Sequence, residues 1–367
     1  MSLPMIPAAK PIIGDEERAA VDAVLRSGMV AQGPQVAAFE EEFGAALVPG
    51  RRCQAVSSGT AGLHVGLLAC GVGPGDEVIV PSFTFAATAN SVALTGATPV
   101  FVDIEPNYFG LDPAAVRTAV TDRTVGIMPV HLYGHPAAMA ELSAIAAELG
   151  LAIFEDAAQA HGASLDGQMV GTWGKFAMFS LYPTKNMTSG EGGMVACASD
   201  EVARAVRLLR NQGMEQQYAN EVIGLNVRMT DIHAAIGRVQ LGRLAGWTAA
   251  RQANAAFLDA NLRGVVTPAV APGAVHVYHQ YTIRVEATER DRIVTALREE
   301  HQVGCGVYYP IPNHRLASLA RFAPGLELAQ TEKAAAEVIS LPVHPSLSQG
   351  DLERVVAGVN AAVGAGA

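Results

Sequence analysis

The 367-residue sequence has little charge and very few lysines. Only 16% of its residues are charged. Of the 25 basic residues only four are lysines, namely Lys10, Lys175, Lys185 and Lys333. The formal net charge is −10, and no basic run or basic-aromatic stripe occurs, which argues against nucleic-acid binding. Half of the residues are hydrophobic, so the chain can bury a large core. Its length suits two domains, or one large domain with an appendage.

Paired cysteines, metal-binding clusters and long apolar runs are also missing. The four cysteines lie far apart without C-x-x-C spacing, which predicts buried thiols in a reducing compartment. The ten histidines form no H-E-x-x-H cluster, and no apolar stretch reaches membrane-spanning length. The N-terminus lacks a basic segment followed by an apolar one. We therefore expect a cytoplasmic protein that binds no metal, nucleic acid or membrane.

The order of apolar and amphipathic segments predicts an α/β fold. Between residues 53 and 200, short and mostly continuous apolar runs alternate with helical stretches, a pattern typical of a mainly parallel sheet. Long helices are predicted near 200–212 and 230–262, and after Gly264 the pattern changes to that of a smaller α+β domain. We predict a large α/β domain over residues 1–248, with an N-terminal helical segment, and a small C-terminal domain over 249–367.

Lys185 follows an apolar segment and precedes a glycine-rich turn at residues 189–193. A primary amine can lose its proton and condense with an aldehyde to a Schiff base, which a guanidinium cannot do. In a sequence that has largely replaced lysine by arginine, this position is a candidate for such chemistry. The alternative is a lysine on a surface loop, and Lys185 alone does not decide between the two.

Two further segments carry candidate ligand-binding groups. Residues 57–64 open a helix with small hydroxyl residues and glycine, which leaves N–H groups free for an anion, although a simple helix cap is the alternative. Asp156 ends an apolar strand at the edge where α/β sheets bind ligands. A buried aspartate there needs a cationic partner, such as a protonated pyridine nitrogen, unless it only caps the next helix. Gln159 follows one turn later and can face the same pocket.

Four further polar or aromatic residues lie at or just after the ends of predicted strands or just before a predicted helix, where ligand-binding side chains are common. Ser180 ends the strand before the lysine and can hydrogen-bond a phosphate. Phe85 follows a strand and can stack on a ring, although a place in the core is the alternative. Asn226 and Arg228 precede a long helix, for which Thr230–Asp231 provide the cap.

In this order, the elements resemble the DegT/DnrJ/EryC1/StrS family of sugar aminotransferases, within the fold-type-I pyridoxal-phosphate enzymes. The resemblance extends from about residue 10 to 360 and implies a mainly parallel central sheet with helices on both faces, plus a smaller domain. The matching stretches are residues 58–61, 155–162, 183–186, 190–193, 226–231, 309–314 and 341–345.

The resemblance implies a role for each candidate cofactor residue. Lys185 would form the Schiff base with pyridoxal 5′-phosphate and move the proton, while Asp156 would pair with the pyridine nitrogen. Gln159 would bind the ring hydroxyl, and His161 would support Asp156 rather than catalyse. Gly59, Thr60 and Ser180 would hold the phosphate, and Phe85 would stack on the ring.

The same resemblance implies which residues contact the substrate and the neighbouring subunit. Asn226 resembles a residue that reaches the phosphate of the neighbouring subunit, which implies a homodimer with shared active sites. Tyr309 and His314 lie in a loop that resembles a sugar-binding segment. Arg228 resembles a substrate-side residue, with a helix cap or an intersubunit ion pair as equal alternatives.

The implied reaction moves an amino group from L-glutamate, released as 2-oxoglutarate, to a nucleotide-linked 3- or 4-keto sugar for amino-sugar biosynthesis. The segment Tyr309–Pro312 slightly favours carbon 3. A dehydratase of the same family is disfavoured because such relatives carry histidine in place of the lysine. A non-catalytic regulator is disfavoured by the complete set of lysine, aspartate and glutamine. A dinucleotide-binding reductase is disfavoured because the glycines at 71–75 follow a helix rather than a strand.

Overall fold

The computed structural model describes residues 4–364. The helices in this range are α1 (Asp15–Ser27), α2 (Pro34–Leu47), α3 (Gly59–Ala69), α4 (Ala87–Leu94), α5 (Pro113–Ala119), α6 (Met139–Leu149), α7 (Asp200–Arg210), α8 (Asp231–Asn261), α9 (Arg290–Glu299), α10 (Ala329–Glu337) and α11 (Gln349–Ala362). The strands are β1 (Arg52–Val56), β2 (Glu77–Pro81), β3 (Thr98–Val102), β4 (Thr124–Ile127), β5 (Ala152–Asp156), β6 (Ser164–Leu165), β7 (Gln168–Met169), β8 (Phe176–Ser180), β9 (Gly193–Cys197), β10 (Met214–Gln216), β11 (Ala219–Asn220), β12 (Ala274–Val275), β13 (Tyr281–Arg284) and β14 (Val338–Leu341).

A seven-stranded sheet in the order β1-β9-β8-β5-β4-β2-β3 forms the centre of the large part of the chain. All its neighbouring strands are parallel except β9, which runs antiparallel to both β8 and β1. The mainly parallel sheet predicted from the sequence is therefore confirmed.

Strand β8 shows why helices cover both faces of the sheet. All five of its residues are buried, and successive side chains of a strand point to opposite faces. Phe176 and Met178 accordingly belong to one apolar cluster with α3 and α7, whereas Ala177 and Phe179 belong to another with α2. A continuous apolar run is thus what a strand covered on both sides requires.

The C-terminal part has an apolar core of its own. This core runs from Ala255 to Ala362 and includes the antiparallel pair β13–β14, and Ile6 from the N-terminal segment joins it. The long helix α8 continues unbroken from one part to the other, so the boundary between residues 248 and 249 falls inside a helix. The division at that point stays a prediction.

The start of α8 confirms the predicted cap. Thr230 accepts a hydrogen bond from the N–H of His233 through its side chain. Asp231 is buried and accepts the N–H groups of Gly33 and Val36, at 2.8 and 3.0 Å. One carboxylate therefore also caps α2 and ties the two helices together. No helix within residues 4–364 is long and apolar enough to cross a membrane.

Candidate active site

A cavity of about 490 Å³ opens at the carboxyl edge of the central sheet. Strands β1, β2, β5 and β8 all end there, because parallel strands bring their carboxyl ends to one edge. The predicted residues on the cavity wall are Gly59, Thr60, Phe85, Asp156, Gln159, Ser180, Lys185 and Tyr309. The structure thus brings together side chains from five separate segments.

Lys185 lies in the turn that follows β8, where its N–H donates to the carbonyl of Tyr182 at 2.9 Å. Burial lowers the pKa of its amine from 10.5 to about 8, against the opposing effect of the Asp156 carboxylate. At that value about a tenth of the amine is neutral at pH 7, far more than for an exposed lysine. The site therefore provides the neutral amine that condensation and proton transfer need.

Asp156 is the last residue of β5 and is buried. Its Oδ2 accepts a hydrogen bond from the hydroxyl of Thr88 at 2.7 Å, and its Oδ1 accepts one from the N–H of Ala158 at 3.2 Å. Burial still raises the pKa of this carboxyl, despite both bonds and the nearby amine of Lys185. A buried carboxylate in this state favours a further cationic partner, as a protonated pyridine nitrogen would be.

Gln159 is held in one orientation by two bonds. Its Oε1 accepts the N–H of Tyr133 at 2.7 Å, and its Nε2 donates to the hydroxyl of Tyr309 at 2.9 Å. The side-chain amide has two N–H groups, so one remains for a ligand oxygen. This arrangement fits the predicted contact with a ring hydroxyl.

The N-terminus of α3 forms a cradle for an anion. Ser58 caps the helix by accepting the N–H of Ala61 at 3.1 Å, while among residues 4–364 no acceptor pairs with the N–H of Gly59 or Thr60. A Cβ on Gly59 would lie only 3.1 Å from the Cβ of Ser180. Glycine therefore lets the helix end approach that serine, and the free N–H groups fit a phosphate.

Phe85 lies on the cavity wall with 60% of its surface exposed, so it is not a core residue. Its ring centroid is 6.2 Å from that of Tyr309, with the two rings tilted by 44°. An exposed aromatic face beside the predicted ring position fits stacking, which stays a prediction.

His314 requires a correction, because the structure does not place it against the cavity. The side chain is buried, with Nδ1 2.7 Å from the hydroxyl of Ser82 and Nε2 3.1 Å from a carboxylate oxygen of Glu332. Both ring nitrogens are thus engaged by the protein, and neither is available to a ligand in this cavity. His314 anchors its loop to the end of β2 instead of contacting a substrate.

Arg228 and Asn226 also lie away from the cavity of their own chain. Arg228 donates from Nη1 to the side-chain oxygen of Asn211 at 2.8 Å and is half-buried. Asn226 is exposed, and its backbone pairs with Asn211. Their predicted contacts with a ligand therefore depend on a neighbouring subunit and stay predictions.

The expected support of Asp156 by His161 is corrected as well. His161 is buried between the rings of Phe43 and Phe179, and neither ring nitrogen has a hydrogen-bond partner within the described residues. Burial lowers its pKa to about 3, so the ring is neutral. The partner of Asp156 is Thr88 instead.

Sequence reasoning missed Thr88, Tyr133 and His279. Tyr133 follows β4 at the same sheet edge as the other site residues, so the edge rule could have found it. Thr88 lies inside α4 and His279 precedes β13, and no local pattern marks either one. His279 lines the cavity, and burial lowers its pKa well below 6.5, so its imidazole is neutral.

Comparisons with known proteins agree with this geometry. A family model described as the DegT/DnrJ/EryC1/StrS aminotransferase family matches residues 11–360. The chain is 41% identical to a protein of Geobacillus stearothermophilus named pleiotropic regulatory protein, over 97% of each chain. It is also 41% identical to dTDP-3-amino-3,4,6-trideoxy-alpha-D-glucose transaminase of Streptomyces venezuelae, over 93% of this chain and 90% of the relative. The solved structure of S. venezuelae DesV superposes with a TM-score of 0.92 at 39% identity, covering 98% of this chain and 99% of that one.

Proposed function

This chain belongs to the DegT/DnrJ/EryC1/StrS aminotransferase family, and on that premise we propose that it aminates a nucleotide-linked keto sugar. It is an aminotransferase whose cofactor is pyridoxal 5′-phosphate. The observation that carries the proposal is one cavity with Lys185 and Asp156 on its wall, beside an anion cradle at the start of α3. The similar Streptomyces transaminase is named for a nucleotide-linked amino sugar.

The cofactor supplies an aldehyde that carries the amino group and a ring that withdraws electrons. The Lys185 amine would hold the cofactor through its aldehyde and, once freed and neutral, would take the proton from the donor's carbon and deliver it to the carbon that had been the aldehyde. Asp156 would keep a proton on the ring nitrogen, which would preserve the electron-withdrawing ring. The N–H groups of Gly59 and Thr60 would bind the phosphate together with the hydroxyl of Ser180.

L-Glutamate is the amino donor in this proposal and leaves as 2-oxoglutarate. The acceptor carbon is C3 of the sugar, an assignment that rests on the segment Tyr309–Pro312 and on the 3-amino product named for the Streptomyces relative. The sugar enters past Phe85, Tyr182 and Glu191, which line the exposed side of the cavity.

A panel of nucleotide-linked 3-keto and 4-keto sugars with L-glutamate tests this function. We expect amination of a 3-keto sugar with stoichiometric release of 2-oxoglutarate. Turnover of 4-keto sugars alone would overturn the choice of C3, and sugar consumption without 2-oxoglutarate would point to a dehydratase. The Geobacillus relative is named as a regulatory protein. If the present chain were a non-catalytic regulator, glutamate would not bleach the yellow colour of the bound cofactor.

We also propose a cytoplasmic homodimer with shared active sites. Asn226 is exposed beside a segment that carries the apolar side chains of Tyr218 and Ile223, which are 86% and 96% exposed. Exposed apolar side chains next to a candidate phosphate ligand favour a second copy as their partner. The four free cysteines favour a reducing compartment.

Mixed dimers test the shared site. Lys185→Ala and Asn226→Ala subunits are each expected to be impaired alone. If Asn226 serves the neighbour, a mixed dimer contains one site with both residues intact, so mixing restores activity. Failure to recover activity from proven mixed dimers would contradict the sharing.

A further inference from the structure

A second, much smaller cavity shares Thr184 and Lys185 of its wall with the active-site cavity. Its volume is about 20 Å³, enough for a single water molecule. Lys185, Asn186 and Arg251 all contribute to its wall, together with the N-terminal segment at Lys10. The cavity therefore connects the catalytic loop with helix α8.

Two buried polar atoms beside this cavity have no partner within the described residues: Oδ1 of Asn186 and Nε of Arg251. Asn186 and Arg251 are only 4% and 7% exposed. One atom is an acceptor and the other is a donor, which is the combination that one water can satisfy at once. A bound anion would satisfy only the guanidinium.

Other polar atoms of the two side chains bind one backbone segment. Asn186 donates from Nδ2 to the carbonyl of Val277 at 2.9 Å, and Arg251 donates from Nη1 to the carbonyls of Tyr278 and His279 at 3.1 and 3.5 Å. Three consecutive carbonyls are thus held by two side chains. Tyr278 lies at a φ of 45°, an uncommon conformation for a residue with a Cβ, and its carbonyl accepts one of these bonds.

We propose that Arg251 is a positioning residue for Lys185, acting through one internal water that it shares with Asn186. The water closes a ring of hydrogen bonds that joins the Lys185 loop, the segment Val277–His279 and α8. Arg251 has no carboxylate within ion-pair distance among residues 4–364, so a structural salt bridge does not explain its burial. The inference rests on the proposed role of Lys185.

The hydrogen-bonded ring holds the loop that carries Lys185, a residue that is partly buried and borders both cavities. Desolvation of the amine is the largest cause of its lowered pKa, so in this proposal a displaced loop would raise that pKa. Asp156, His161 and His279 interact electrostatically with this amine. The other charged or titratable groups on the walls of the two cavities that Lys185 borders are Lys10, Tyr133, Tyr182, Glu191, Arg251, Tyr308 and Tyr309. Loss of the guanidinium loosens the loop and admits water, which favours the protonated amine.

Acetylation of the cofactor-free protein tests this role without any turnover. The chain has four lysines, so mass spectrometry can follow Lys185 separately, with Lys333 as an exposed internal reference. In Arg251→Met, we expect the reactivity of Lys185 to titrate at higher pH, with about a fivefold lower rate at pH 8. Arg238→Met is the matched control on the same helix, because Arg238 pairs with Glu42 away from this cavity.

The outcomes separate a positioning role from a purely structural one. A lower melting temperature with an unchanged Lys185 titration would overturn the proposal. If Arg251→Met does not fold, Arg251→Lys must show the shift, since it keeps the charge but loses the Nε donor. A crystal structure should show one water bonded to Arg251 and Asn186, and an anomalous bromide peak there after soaking would overturn the water. Because turnover is not measured, failure here is distinct from failure of the proposed reaction.

Discussion

The two halves of the active-site cavity are built differently. The cofactor half consists of buried strand ends and a helix start, where Asp156, Gln159 and Ser180 are each less than a tenth exposed. The substrate half consists of loops, where Phe85 and Tyr182 are 60% and 48% exposed. The sheet thus fixes the chemistry, while the loops leave room for different acceptors.

Replacing Lys185 tests the cofactor half with the largest expected effect. Lys185→Ala should lower turnover by more than about 10⁴-fold, because it removes the covalent anchor and the proton-transfer group together. Lys185→Arg should fail equally, since the charge alone is not the function. Both should lose the visible absorbance of lysine-bound cofactor in a spectrum of the purified protein. Retention of turnover and absorbance would refute the central assignment.

Asp156→Asn tests the opposite side of the same half. We expect about a 10²- to 10⁴-fold loss in kcat, since an amide cannot keep the ring nitrogen protonated. The side-chain oxygen can still accept from the hydroxyl of Thr88, so the fold should remain intact. Thr88→Val, which leaves the carboxylate in place, is the control with a smaller loss. A loss in kcat for Asp156→Asn no larger than the small loss for Thr88→Val would show that the carboxylate itself is not required.

The pH dependence of stability tests whether the Lys185 amine is desolvated enough to have the lowered pKa. Its pKa is about 8 in the folded protein, whereas the ordinary value for a solvent-exposed lysine is 10.5. Below pH 8 the amine is therefore protonated in both states, and its charge lowers the free energy of unfolding. This penalty disappears as pH rises from about 8 to 10.5. In the cofactor-free state, Lys185→Met should therefore be more stable by about 1–3 kcal/mol at pH 7, with less advantage at pH 10. Chemical denaturation at both pH values measures this, and a constant difference would contradict it.

Sequence reasoning named most of the residues that line the cofactor half of the cavity but few of those in the substrate half. Asp156 and Ser180 end apolar strands, so the parallel sheet alone brings them to one edge. Thr88 could not be predicted, because its contact with Asp156 spans 68 positions and no local pattern marks it. His314 matched a family motif, but its ring turns to Ser82, 232 positions away. Motif matching assigns a position and does not determine the direction of a side chain.

The smallest expected effects sharpen the comparison in the substrate half. Tyr309→Phe keeps the ring beside Phe85 but deletes the hydroxyl that accepts from Gln159, so we expect about a two- to tenfold loss in kcat/KM for the sugar. Its melting temperature should change little. His314→Ala should instead lower the free energy of unfolding by about 1–3 kcal/mol, because its bonds to Ser82 and Glu332 are buried or partly buried.

Steady-state kinetics and thermal denaturation of the same two variants distinguish the roles. A raised KM for the sugar with unchanged stability in His314→Ala would return that histidine to the substrate site. The same result in Tyr309→Phe alone would locate sugar recognition on the cavity wall, where the hydroxyl and Gln159 form one hydrogen-bonded pair. A loop residue would then act on specificity through a partner that the sheet holds in place.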